Sequence, residues 1–130
     1  MQIRRITPIL YTKEVEPCVR FWATRLGFEK TVEVPDGDHL GFAIVHKDSL
    51  ELMYQRLDDP KDSPVSKEDA GKGPTYLYAE VESLDATLEA MRGVEMVIPV
   101  HETFYGMREF AVKDPAGHII LFAQPVAAAK

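Results

Sequence analysis

The chain has little cysteine: Cys18 stands alone in 130 residues. A disulfide within the chain needs two thiols, so none forms, and no cysteine metal cluster forms either. A reducing, cytoplasmic compartment fits that count. No run of about 18 apolar residues occurs, so no membrane-spanning helix is expected. The opening Met1-Gln2-Ile3-Arg4-Arg5 is basic but lacks the apolar stretch of a signal peptide. Positive charge is also in deficit. Fifteen Lys and Arg face 21 Asp and Glu, a net charge of −6. That balance opposes phosphate backbones and argues against nucleic-acid binding. Acid spread over a surface is ordinarily a solubility feature. Concentrated at a pocket, it suits a cationic ligand. Composition does not choose between the two.

What is present is an ordinary globular balance, 45% hydrophobic and 28% charged, in a length typical of one domain. Alternation predicts a strand over Arg4 to Thr12, with Pro8 marking an irregular or edge position. Glu14 to Leu26 reads as a helix. Glu14 and Glu16 favour its N-terminus, Pro17 fits the first turn, and Gly27 suits the exit. Val19, Trp22 and Leu26 form its apolar stripe, with Trp22 expected in the core. Strands follow at Phe28 to Val34, His39 to Val45 and Leu50 to Gln55. The turns between them are Pro35-Asp36-Gly37-Asp38 and Lys47-Asp48-Ser49.

Residues 56–73 are polar and carry no apolar period, so they read as a linker or surface excursion. Then the order restarts. Tyr76 to Val81 is a strand. Ser83 to Met91 is a helix with Ser83 as N-cap and Leu84, Leu88 and Met91 on one face. Val94 to Val100 is a strand. Met107 to Val112 and His118 to Gln124 form a hairpin across Asp114-Pro115-Ala116-Gly117. The expected fold class is α+β, two βαβββ modules in one domain over residues 1–130: module one at about 4–55, module two at about 74–124. Thr7-to-Glu16 aligns with Tyr76-to-Asp85, and Phe42-Ala43-Ile44 with Phe110-Ala111-Val112.

Four stretches carry a family resemblance: PILYTKEVEPCVRFWATRLGFE (8–29), LELMYQ (50–55), YLYAEVESLDATLEAM (76–91) and YGMREFAVKDPAGHIILFAQ (105–124). They resemble the vicinal oxygen chelate superfamily, which includes glyoxalases, bleomycin-resistance proteins and extradiol dioxygenases. The resemblance implies curled sheets forming a cup with helices outside. Parity in this sequence assigns Ile6, Leu10, Leu50, Leu52, Leu77, Ala79, Val81, Ile120 and Phe122 to the helix-covered face. Thr7, Ile9, Tyr11, Glu51, Met53, Tyr76, Tyr78, Glu80 and Leu121 share the opposite, mixed face.

Metal-dependent members place His, Gln or Glu ligands at four strand positions. Carried over, those positions are Thr7, Glu51, Tyr76 and Leu121. Only Glu51 is a usual ligand, and a divalent ion needs several converging imidazole or carboxylate donors. The expectation is no metal and no cofactor, the alternative being a divalent ion bound by an unorthodox set. His39, His46, His101 and His118 read as surface or turn residues, with His101 nearest the cup mouth. Cys18 reads as a partly buried thiol. Glu51 has two readings: a half-solvated carboxylate paired with an arginine or a tyrosine hydroxyl, or an anchor for a cation or a general base. It is the one catalytic candidate.

The expected ligand-binding residues are Tyr11, Glu51, Met53, Tyr76, Tyr78, Phe104 and Tyr105. Thr103 to Arg108 forms either a lip that stacks a planar ligand or a hydrophobic plug. Three functions compete. The first is metal-free small-molecule binding similar to bleomycin-resistance sequestering proteins, as a homodimer with a cationic or aromatic ligand. The second is a metal-dependent glyoxalase-like lyase or dioxygenase. The third is a metal-free enzyme or a structural subunit. The missing ligands favour the first.

Overall fold

The computed structural model describes residues 1–57 and 72–126. Most of the expected linker lies outside the described residues. The chain divides into two compact units, Met1–Gly73 and Pro74–Lys130. Among the described residues each holds one helix and a four-stranded mixed, open sheet. No helix among the described residues is long and apolar enough to cross a membrane.

Unit one runs β1 (Ile9–Thr12), α1 (Val15–Leu26), β2 (Glu29–Asp36), β3 (His39–Lys47) and β4 (Leu50–Arg56). Its strand order is β1-β4-β3-β2, with β1 parallel to β4 and the other pairs antiparallel. Unit two repeats the pattern with β5 (Tyr76–Glu80), α2 (Leu84–Ala90), β6 (Met96–Glu102), β7 (Met107–Lys113) and β8 (Ile119–Pro125). Its order is β5-β8-β7-β6, with β5 parallel to β8. In both units the last strand sits beside the first, as the repeated βαβββ order requires.

The helix ends follow local chemistry. Thr12 Oγ1 accepts from the backbone N–H of Glu14 at 3.2 Å and turns the chain into α1. Gly27 closes α1 at φ 73°, its N–H bonding to Ala23 O, a backbone state that glycine reaches without penalty. Ser83 Oγ accepts from Ala86 N at 3.1 Å, and Gln124 Oε1 accepts from Leu84 N at 2.7 Å. Two donors of the first turn of α2 are thereby satisfied.

The core of unit one lies between α1 and its sheet. Val15, Cys18, Phe21 and Trp22 bury against Leu10, Ala43, Val45, Leu52 and Tyr54. Trp22 is in the core as expected. The buried stripe falls one position from the predicted one, because Val15, Cys18 and Trp22 recur at i, i+3 and i+7, while Val19 and Leu26 are half-buried. Cys18 is fully buried rather than partly so. The core of unit two joins Leu84, Thr87 and Met91 to Phe110, Val112, Ile120 and Phe122. Phe110 and Phe122 are register partners with ring centroids 5.4 Å apart.

Two expectations need correction here. Ile6 and Leu50 are exposed rather than helix-covered. The β1 ladder begins only at Ile9, since Pro8 has no N–H to give, and Leu50 adjoins the turn at Asp48. Of its surface and turn readings, His118 takes the turn one and is buried there: its Nδ1 accepts from Thr75 N at 2.9 Å, and its backbone N–H reaches Asp114 Oδ1 at 2.8 Å. The edge strands β2 and β6 carry Pro35 and Pro99 beside register shifts, where a missing N–H breaks no ladder.

Candidate functional site

In unit one the site begins at Glu51. β4 pairs antiparallel with β3, so Glu51 stands opposite His46 and on the sheet face that α1 leaves uncovered. Thr7 Oγ1 donates to Glu51 Oε1 at 2.9 Å. The Arg5 guanidinium lies 3.0 Å from Oε1 and donates to Oε2 at 3.2 Å. Both carboxylate oxygens are therefore engaged, and the charge is compensated by an arginine. Of its two readings, this is the paired carboxylate. Met53 lies opposite Ile9 and Ile44 on the same face, and Tyr11 opposite Gln55.

In unit two the site is built around a residue absent from the predicted set, Glu109. Strand parity and register place Tyr76, Tyr78 and Glu80 of β5, Leu121 and Ala123 of β8, Glu109 of β7 and His101 of β6 on one face. Glu109 is only 3% exposed. Its Oε2 accepts from the Tyr78 hydroxyl at 2.6 Å and from the Tyr105 hydroxyl at 2.9 Å. Tyr78 reaches it from two strands away. Ala123, in register with Glu109, presents only a methyl group along that path. Tyr105 reaches it from the β6–β7 turn, which Thr103 closes. Its N–H bonds to Met107 O at 2.7 Å, and its Oγ1 accepts from Met107 N at 3.1 Å. Gly106 follows at φ 82°.

Tyr78 and Tyr105 nevertheless stay 53% and 55% exposed. Phe104 is fully exposed and meets Tyr105 edge-on at 5.1 Å. Tyr76 is exposed on the same sheet face as Tyr78. The hydrogen bond to Glu109 pushes the Tyr78 phenol up to about 12, helped by partial desolvation and by the negative charge of Glu109. The same bond raises Tyr105. A carboxylate beside a phenol disfavours a second negative charge.

His101 completes the cluster. Its Nδ1 is 2.9 Å from Pro99 O, which can only accept, so Nδ1 carries the proton. Its Nε2 faces Glu109 Oε1 at 3.9 Å, beyond a hydrogen bond. Among the described residues no lysine or arginine pairs with Glu109. Arg108 turns to the other face and pairs with Asp85, and Lys113 pairs with Glu95. Arg108 thus points away from the sheet face that carries Glu109.

The predicted residues divide between the units. Tyr11, Glu51 and Met53 belong to unit one, and Tyr76, Tyr78, Phe104 and Tyr105 to unit two. Sequence held a signal for Glu109. By parity it shares a face with Met107 and Ala111 in β7, a charge flanked by apolar neighbours.

The superfamily's metal positions do not fit an ion. Leu121 offers no donor, Thr7 and Tyr76 offer weak ones, and Glu51 is already held by Arg5. Among the described residues, no three His, Cys, Asp or Glu side chains gather in one place.

The family model described as Glyoxalase/Bleomycin resistance protein/Dioxygenase superfamily matches residues 2–122. No curated protein matches the sequence. Among solved structures, TioX from Micromonospora sp. ML1 is similar at TM-score 0.75 and 18% identity, over 95% of this chain and 100% of that one. A glyoxalase/bleomycin resistance protein/dioxygenase from Nocardioides gives TM-score 0.73 and 21% identity, over 100% and 89%. Lactoylglutathione lyase from Agrobacterium tumefaciens gives 0.70 and 14%, over 95% of each chain. At these identities the structures speak for the fold alone, and the family model's span of nearly the whole sequence places this chain in the Glyoxalase/Bleomycin resistance protein/Dioxygenase superfamily.

Proposed function

We propose that this superfamily member binds a small planar molecule without a metal ion, as a sequestering protein similar to the bleomycin-resistance branch. One observation carries the reading. Tyr78 and Tyr105 have their hydroxyls fixed by Glu109 while both residues stay about half exposed. Aromatic side chains ordinarily bury most of their area, and rings held rigid but uncovered offer stacking surface at little entropic cost. Exposed Phe104 and Tyr76 extend that surface. The four inherited ligand positions lack the donors that a glyoxalase-type lyase or a dioxygenase would need.

A homodimer is part of the proposal. Edge strands β2 and β6 expose Val32, Val34, Met96, Val97, Ile98 and Val100, and apolar sheet edges are ordinarily covered. Sedimentation showing a monomer at micromolar concentration would count against it.

The test of function is a binding screen of planar aromatic compounds in the presence of a chelator, read by calorimetry. Micromolar binding that weakens on Tyr78→Ala or Tyr105→Ala is the expected result. Binding only of thiol conjugates or catechols, and only with added divalent metal, would replace this reading with the enzymatic one.

A further inference from the structure

We infer that the Glu109 carboxylate is a recognition site for a positively charged nitrogen, so that the bound molecule is an aromatic amine in its protonated form. The inference rests on the tyrosine face being a ligand surface and goes on to name the ligand's charge.

The observation is an uneven carboxylate. Oε2 of Glu109 accepts two hydrogen bonds, from Tyr78 and Tyr105. No hydrogen bond among the described residues reaches Oε1, and His101 Nε2 lies 3.9 Å from it. With Nδ1 committed to Pro99 O, a neutral His101 has no proton to offer on that side. A side chain that is 3% exposed thus keeps one oxygen without a donor, and no lysine or arginine among the described residues balances its charge. That oxygen is not sealed off, since among the described residues only Arg56 Nε is a buried side-chain polar atom without a partner, so it is open to solvent or to the donor of a ligand. Glu51, on the uncovered sheet face of unit one, differs on both counts, since Arg5 and Thr7 occupy its oxygens.

The surroundings point to a cation as the completing group. Glu80 shares the face and adds negative charge. The Tyr78 and Tyr105 hydroxyls meet the carboxylate, and aromatic rings attract an ammonium through their faces. An anion would meet Glu109 and Glu80 together. A neutral aromatic would stack but leave Oε1 unfilled. A protonated amine carried on a planar ring supplies both the donor and the stacking area.

Three indole probes separate the terms: tryptamine (cationic), tryptophol (neutral) and indole-3-acetate (anionic), titrated into the wild-type full chain and Glu109→Gln. Wild type should bind tryptamine roughly 10- to 150-fold more tightly than tryptophol, the value of one charge-assisted bond. It should bind indole-3-acetate most weakly. Glu109→Gln should lose the tryptamine preference, so that tryptamine and tryptophol bind alike. The wild-type ranking needs no variant, so it stands even if Glu109→Gln fails to fold. Equal binding of tryptamine and tryptophol overturns the inference and leaves the aromatic surface intact. A tryptamine preference that survives Glu109→Gln and vanishes in Glu51→Gln moves the anchor to unit one and also overturns it. Binding of no probe, or loss of binding as protein concentration rises because a second copy covers the face, overturns the ligand surface itself.

Discussion

The Tyr78 hydroxyl donates to Glu109 Oε2 at 2.6 Å, and the two residues come from strands separated by β8. This bond ties the proton of a half-exposed phenol to a buried carboxylate. Tyr78 is pushed up to about 12 as a result. Absorbance titration of tyrosinate should therefore show Tyr78 ionising last among the exposed tyrosines. In Glu109→Gln it should return toward its ordinary value of about 10. The stability effect has a definite sign. The folded value lies above the unfolded one, so the contribution is whole below pH about 10 and is lost as pH rises toward about 12. Alkaline unfolding of Glu109→Gln should show less of this fall.

Glu51 should matter little to stability. Its arginine partner is largely exposed, and surface pairs of that kind are worth about 0–1 kcal/mol. Glu51→Gln should shift the urea midpoint only slightly. Protein purified without chelator should carry no stoichiometric zinc, nickel, iron or manganese that depends on Glu51. Metal analysis showing such an ion, lost in Glu51→Ala, would contradict the donor argument.

Tyr54→Phe should be costly. The Trp22 indole N–H donates to the Tyr54 hydroxyl at 2.7 Å, and both residues are buried. Removing the acceptor strands the indole donor in the core of unit one, at about 1–3 kcal/mol. Chemical denaturation measures it directly.

Gly27→Ala tests the exit of α1. At φ 73° an added Cβ meets only Lys47 Nζ at 3.5 Å, so space is not the obstacle. The left-handed backbone is, at about 1–2 kcal/mol. A neutral result in thermal melts would mean that the helix end relaxes.

What sequence determined by itself was everything local or periodic. The order of elements, the Ser83 cap, the Gly27 exit and the closing hairpin are written in short-range preferences. Side-chain alternation reports which residues share a face, and it correctly grouped Tyr76, Tyr78 and Leu121. Alternation weakens where a ladder starts late, which is why Ile6 was misplaced. Tertiary structure alone decided which acid is compensated. Glu51 and Glu109 are both strand glutamates on uncovered faces. Arg5 lies 46 residues from the first, and Tyr78 lies 31 residues from the second. Charge balance depends on distance through space. Strand pairing brings a guanidinium to one glutamate and two phenols to the other, so only the folded chain distinguishes a satisfied carboxylate from one that still has an oxygen to give.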